Sequence, residues 1–294
     1  MTETTLAVIY TLVAGLLNAI MSQLFCKQPG DKGQCGGFMV AFGLTNIVIA
    51  AVLIYFNGYH PGSGWFAGIS TASGLFTLVN LFAVFAALKK GPLSILWPFA
   101  WLAAPLSGII WFIYTGFEGF SVFHAAGIIF FLIALVLMYF SNKTDSSVQP
   151  GFFMLAVIAL LGGTAATLLY KYDLTTPPFA KGTDITYMFF SAMATNVVIT
   201  CNAVFTTQRI SYALRPVFYA CLAGVAGMLQ FYLATFAVAR LDASVYLCTF
   251  AGSAIFFSTF FARIFQKEEL TALKIASTAA ILAAIAMLSF TVTK

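Results

Sequence analysis

Apolar residues in this chain neither alternate nor keep to one helical face. They run in ten nearly unbroken blocks separated by short polar corners, at residues 5–26, 36–57, 64–88, 92–115, 121–141, 151–172, 184–206, 213–238, 243–266 and 271–291. Each block reaches the roughly 20 residues an α-helix needs to cross about 30 Å of hydrocarbon. A segment in lipid must satisfy its own backbone hydrogen bonds, so all ten are predicted to be helices. The corners have turn chemistry: Pro29-Gly30 and Gly36-Gly37, Pro61-Gly62, Gly91-Pro92, Gly116, Pro150-Gly151 and Pro177-Pro178. Met1 to Thr5 holds no basic residue, and the first block is long enough to span, so it reads as a retained first helix rather than a cleaved signal.

The most polar connection, SNKTDSSVQP at 141–150, lies at the centre of the chain. It divides the sequence into a first five-helix repeat (1–143), a linker (144–150) and a second five-helix repeat (151–294). A shift of 150 places Thr45-Asn46 on Thr195-Asn196, Asn80 on Gln230, Lys90 on Arg240, Ser94 on Ser244, Glu118 on Glu268 and Ser121 on Thr271. Five is odd, so the second half is expected to enter the membrane in the opposite direction, giving an inverted repeat. The helices flanking the short corner at Leu88 to Pro92 are expected to be antiparallel neighbours.

Composition puts these helices in a bilayer. The 294 residues are 61% hydrophobic and 8% charged, whereas a soluble domain carries about a quarter charged residues. The net charge of +5 comes from single basic residues at helix ends, not from a patch that could follow nucleic acid. Ten of them (Lys27, Lys32, Lys89, Lys90, Lys143, Arg209, Arg215, Arg263, Lys267 and Lys274) fall on one side and four (Lys171, Lys181, Arg240 and Lys294) on the other. The positive-inside rule then makes the termini extracytoplasmic. The five cysteines have no metal-ligand spacing. Cys26 and Cys35 bracket one loop and could pair in an oxidising compartment; the plainer reading is small apolar filler.

All nine acids lie at helix ends or in loops. Asp184, Asp242, Ser121 and Thr271 read as helix N-caps. The interior offers amides and hydroxyls instead: Asn18, Ser22, Gln23, Asn46, Asn80, Thr164, Thr167, Asn196, Thr200, Asn202, Gln230, Thr249 and Ser253. An amide in hydrocarbon needs a partner, which can be another helix or a substrate. Two equivalent pairs, Asn46 with Asn196 and Asn80 with Gln230, are expected to approach a common pseudo-twofold axis, where inverted-repeat transporters hold substrate. Trp97 and Trp101, one helical turn apart and flanking Pro98, fit a cavity wall or a membrane-interface belt. Tyr170, Tyr232 and Tyr246 are further cavity candidates, and Lys171 reads as a snorkelling cation or an anion-attracting gate. The expected substrate site is Asn18, Asn46, Asn80, Trp97, Trp101, Tyr170, Asn196, Gln230 and Tyr246. His60 and His124 have no catalytic partner in the sequence, and no phosphate loop, metal cluster or dinucleotide fingerprint is present. The chain therefore reads as neither an enzyme nor an ATP-driven pump, with no cofactor and no metal.

The duplicated corners, ALKKGPLS followed by a Pro-bearing helix and then Glu118-Gly119-Phe120-Ser121 or Glu268-Glu269-Leu270-Thr271, resemble the ten-helix, EamA-like branch of the drug/metabolite transporter superfamily. The second copy departs at Asp242-Ala243, where the first has Pro92-Leu93. The resemblance implies an all-α integral membrane protein of two inverted five-helix repeats in a bacterial inner membrane. It also implies alternating-access movement of amino acids or related metabolites, most often outward; ten helices can enclose a cavity alone, so a monomer is expected. It places the termini in the cytoplasm, opposite to the charge count. Small multidrug exporters of the superfamily use a membrane-embedded carboxylate, which this chain lacks, so a neutral, zwitterionic or anionic substrate is expected. Uptake of a nutrient or quaternary amine, and a non-transporting subunit that uses its amides to hold a partner, are the competing readings.

Overall fold

The computed structural model describes residues 3–58, 64–114, 116, 121–144, 148–175, 183–207, 209–238 and 243–289. Among the described residues there are eleven α-helices and no strand: α1 (Glu3–Phe25), α2 (Lys32–Asn57), α3 (Gly64–Leu88), α4 (Leu93–Trp101), α5 (Ala103–Tyr114), α6 (Val122–Thr144), α7 (Phe152–Thr175), α8 (Thr183–Thr206), α9 (Leu214–Val238), α10 (Ala243–Phe265) and α11 (Ala272–Ser289). Six of them, α1, α2, α3, α7, α8 and α9, are long and apolar enough to cross a membrane. Large apolar side chains face outward, Phe205 being 86% and Tyr55 81% exposed, as expected where the surroundings are lipid. The chain is a multi-pass helical membrane protein.

Nine of the ten apolar blocks each form one helix. The exception, 92–115, divides at Leu102 into α4 and α5. A proline accounts for the break. Pro105 has no N–H to offer the Trp101 carbonyl, and the Leu102 N–H bonds Phe99 O at 3.1 Å, a tighter three-residue step. Helix α2 starts four residues before its expected position, because Asp31 caps it by accepting the Gln34 N–H at 2.9 Å. Gly36 and Gly37 are therefore not a turn. They sit on a buried helix face where a β-carbon at 36 would lie 2.7 Å from Thr207 Oγ1 and one at 37 would strike the Ser211 carbonyl.

Most packing crosses the midpoint of the sequence. Helix α1 lies on α9 and α10, α3 on α7 and α8, α2 on α8 and α9, α6 on α11, and α4 on α10 and α7. Helices α3 and α4 do meet beside their corner, although each packs more extensively on helices after residue 150. Small residues allow this closeness. A β-carbon at Gly162 would lie 2.9 Å from Asn80 N, one at Gly15 would overlap the Ser253 side chain, and one at Gly74 would strike the Ser191 carbonyl.

Of the four residues expected to cap helices, Thr271 is the one that does so among the described residues, and a carboxylate not on that list caps α4. Pro92 has no side chain with which to cap α4; Glu268, from far along the chain, does so, accepting the Leu93 and Ser94 N–H groups at 2.8 and 3.0 Å. Thr271 caps α11 through a 3.4 Å bond from Lys274 N. Ser121 precedes α6, but its hydroxyl meets His124 Nδ1 at 2.8 Å, and that same nitrogen accepts the Ser121 N–H. Asp184 lies in the first turn of α8; Glu118, Asp242, His60, Lys181, Arg240 and Lys294 lie outside the described residues. Cys26 and Cys35 are free thiols, accepting from Gln266 at 3.0 Å and Gln28 at 2.9 Å respectively.

Candidate functional site

Helices from both sides of the linker enclose a cavity of about 300 Å³. Its walls are supplied by α1, α3, α4, α5, α7, α8, α9 and α10. The volume is at the lower end of the range of about 300–1,000 Å³ in which small-molecule ligands are held.

One wall is a directional chain of hydrogen bonds. Trp97 Nε1–H donates to Asn18 Oδ1 at 3.0 Å, and Asn18 Nδ2–H donates to Gln230 Oε1 at 3.0 Å. Trp97 and Asn18 are each 5% exposed, so the chain is shielded from competing solvent. It fixes the Gln230 amide with its oxygen engaged and its Nε2 open to the cavity; among the described residues that nitrogen has no partner. Close approach of α9 to α1 makes this possible, since a β-carbon at Gly227 would sit 2.9 Å from Met21 Sδ.

The opposite wall is Asn80. Its Nδ2 donates to the Ala159 carbonyl at 2.6 Å, a reach allowed by the side-chain-free surface of Gly162 and Gly163 on α7. Asn80 Oδ1 is left as an acceptor facing the cavity. Ser73, Thr77 and Thr167 line the same region, and each donates its hydroxyl proton to a backbone carbonyl, at 3.3, 2.9 and 2.8 Å. Trp101, held edge-on to Phe250 with ring centroids 5.0 Å apart, supplies an aromatic wall together with Phe231. No lining residue carries a formal charge.

Asn18, Asn80, Trp97, Trp101 and Gln230 are thus brought together around one cavity. Trp97 is buried in it and does not form an interfacial belt. Asn46 and Asn196 are placed elsewhere. They do approach each other, with Asn46 Nδ2 donating to Asn196 Oδ1 at 3.0 Å and Asn196 Nδ2 to the Ala192 carbonyl at 2.8 Å. Both are buried between α2 and α8 and do not line the cavity; the pair leaves Asn46 Oδ1 buried without a hydrogen-bond partner among the described residues. Tyr170 and Tyr246 lie in α7 and α10, with side chains outside the described part, as is that of Lys171. Ser73, Thr77, Tyr187, Ser191, Phe231 and Phe250 were not among the expected site residues. Helical spacing from Asn80 could have found the first two, since 73, 77, 80, 81 and 84 share one face of α3.

The acids keep to the ends of the described helices: Glu3 opens α1, Asp31 caps α2, Asp173 lies in the last turn of α7, and Glu268 and Glu269 precede α11. Among the described residues no cluster of three His, Cys, Asp or Glu could hold a metal ion. Outside the spans, burial pushes the Cys26 thiol up to about 12.

No family model matches the chain, and no curated protein matches it. A solved structure described only as "Crystal structure of protein" superposes with a TM-score of 0.64 at 16% identity, covering 96% of this chain and 96% of its own. The likeness is one of fold.

Proposed function

We propose that this protein is a secondary or facilitative transporter of a small polar metabolite, working by alternating access. It is read as a member of the drug/metabolite transporter superfamily with ten spans in two inverted halves, α4 and α5 together forming the fourth span. The observation that carries the reading is the uncharged cavity between helices of both halves, an apolar and aromatic lining into which a few amides and hydroxyls are set. The packing pattern supports the inverted repeat. Exchanging the halves turns the α1–α9 pair into α7–α3, α1–α10 into α7–α4 and α2–α9 into α8–α3, while α2–α8, α4–α10 and α6–α11 map onto themselves, and every one of these pairs is in contact. Asn46 and Asn196, 150 residues apart, bond to each other as residues astride such an axis would.

Rocking one half against the other around this axis would expose the cavity to each side in turn. An inner bacterial membrane is the setting this reading favours, and transport down or against a gradient, not catalysis, is the activity. Purified protein in liposomes tests it. A metabolite panel should yield at least one solute whose flux exceeds that of empty liposomes and falls at least about tenfold in Asn80→Ala and Gln230→Ala. Flux of no solute, from folded protein, overturns the proposal.

A further inference from the structure

The hydrogen-bonding valence of the cavity points to a particular class of solute. Three hydroxyls, on Ser73, Thr77 and Thr167, already donate to backbone carbonyls and present only lone pairs inward. Asn80 Oδ1 adds another acceptor, its amide nitrogen being held by Ala159. Donors are fewer: Gln230 Nε2, whose oxygen is tied to Asn18, and the hydroxyls of the lining residues Ser191 and Tyr187. No lining side chain is charged.

A solute that fits must bring several donors, accept at least twice, and enter without a counter-ion. Carboxylates and phosphates fail the first requirement, since they present only acceptors to a wall of acceptors. An ammonium meets the first but leaves Gln230 Nε2 unsatisfied, and it would be a charge removed from water with no carboxylate to pair it. A hydroxyl both donates and accepts at a single atom with no net charge, so several on a small ring or chain can meet closely spaced acceptors and donors. The aromatic wall of Trp101 and Phe231 gives the C–H face of such a molecule an apolar surface.

We propose that the cavity selects an uncharged polyhydroxylated solute of about monosaccharide size, with Asn80, Thr77 and Gln230 reading its hydroxyls. This rests on the transporter reading and narrows its substrate. It departs from the amino acids that the sequence resemblance implies, whose two charges would find no partner here.

The test uses the whole chain in proteoliposomes with labelled D-glucose, D-ribose, mannitol, L-alanine, choline and lactate, each as solute and as competitor. The expected result is flux of at least one of the three polyols, insensitive to membrane potential. Removing a hydroxyl that the site reads, by using the matching deoxy analogues on the unaltered protein, should weaken competition roughly tenfold or more. Thr77→Val, which keeps shape and removes the oxygen, should do the same for the parent polyol and have less effect on one deoxy analogue. Flux of alanine, choline or lactate with none of the polyols overturns this inference and leaves the transporter reading standing. Flux of none of the six, from folded protein, overturns both. Polyol flux indifferent to every deoxy analogue and to Thr77→Val overturns the assignment of these residues.

Discussion

Asn46 and Asn196, from helices α2 and α8, are joined by a single side-chain hydrogen bond of 3.0 Å in a buried setting. Each is the other's counterpart under the 150-residue offset, and in the proposed inverted repeat the bond lies where the two halves meet. Replacing one partner strands the other's polar atoms, which costs about 1–3 kcal/mol. Asn46→Leu and Asn196→Leu are each expected to lower the melting temperature in detergent, and the double variant to lower it by less than their sum. Full additivity would show that the bond does not couple the halves.

Glu268 ties the end of α10 to the start of α4 through two backbone N–H groups. Removing the carboxylate leaves the first turn of α4 uncapped at a point where Pro92 offers no substitute. Glu268→Ala should destabilise by about 1–2 kcal/mol, and Glu268→Gln by less, since one amide oxygen still accepts. Thermal unfolding of the two variants beside the parent measures the order; equal loss would remove the capping role.

Gly74 and Gly224 occupy equivalent positions on α3 and α9, yet face different obstacles. A methyl at 74 would strike the Ser191 carbonyl, which is backbone, whereas one at 224 meets the Thr45 side chain at 2.9 and 3.0 Å. The second is the milder crowding and is relieved by a displacement of a few tenths of an ångström, whereas the first is a direct overlap with backbone that only a larger helix shift removes. Gly74→Ala is therefore expected to lower the melting temperature more than Gly224→Ala.

Burial holds the Cys26 thiol neutral, pushed up to about 12 from an ordinary 9.0. The folded state keeps its proton where the unfolded chain loses it, so this group contributes a stability that declines as pH rises above about 9. At pH 7 to 8.5 maleimide should label Cys26, which is partly buried, much more slowly in the folded protein than after denaturation. Rapid labelling in the folded protein, located by mass spectrometry, would contradict the burial.

The fold was legible because its strongest signal is crude. Uninterrupted apolar runs of twenty residues have one solution in lipid, and nine of the ten blocks are single helices. What hydropathy could not carry was local backbone detail. Gly36-Gly37 has the look of a turn, and only the partner surface at Thr207 and Ser211 makes it a packing face. The site was half legible: the amides and tryptophans stood out as costly in hydrocarbon, and five of them line the cavity. The same reasoning could not separate Asn80, which lines the cavity, from Asn46, which is buried between α2 and α8; each has its amide nitrogen engaged, and only the packing around it tells them apart. Phe231 and Phe250 were invisible among 32 phenylalanines.

The central claim is that this cavity opens to both sides of the membrane. Thr77→Cys, in a background with the native cysteines replaced, places a thiol on the cavity wall. A membrane-impermeant maleimide applied to sealed vesicles of each orientation should label it from either side, with labelling slowed by a transported solute. Labelling from one side only, or from neither, would contradict the account.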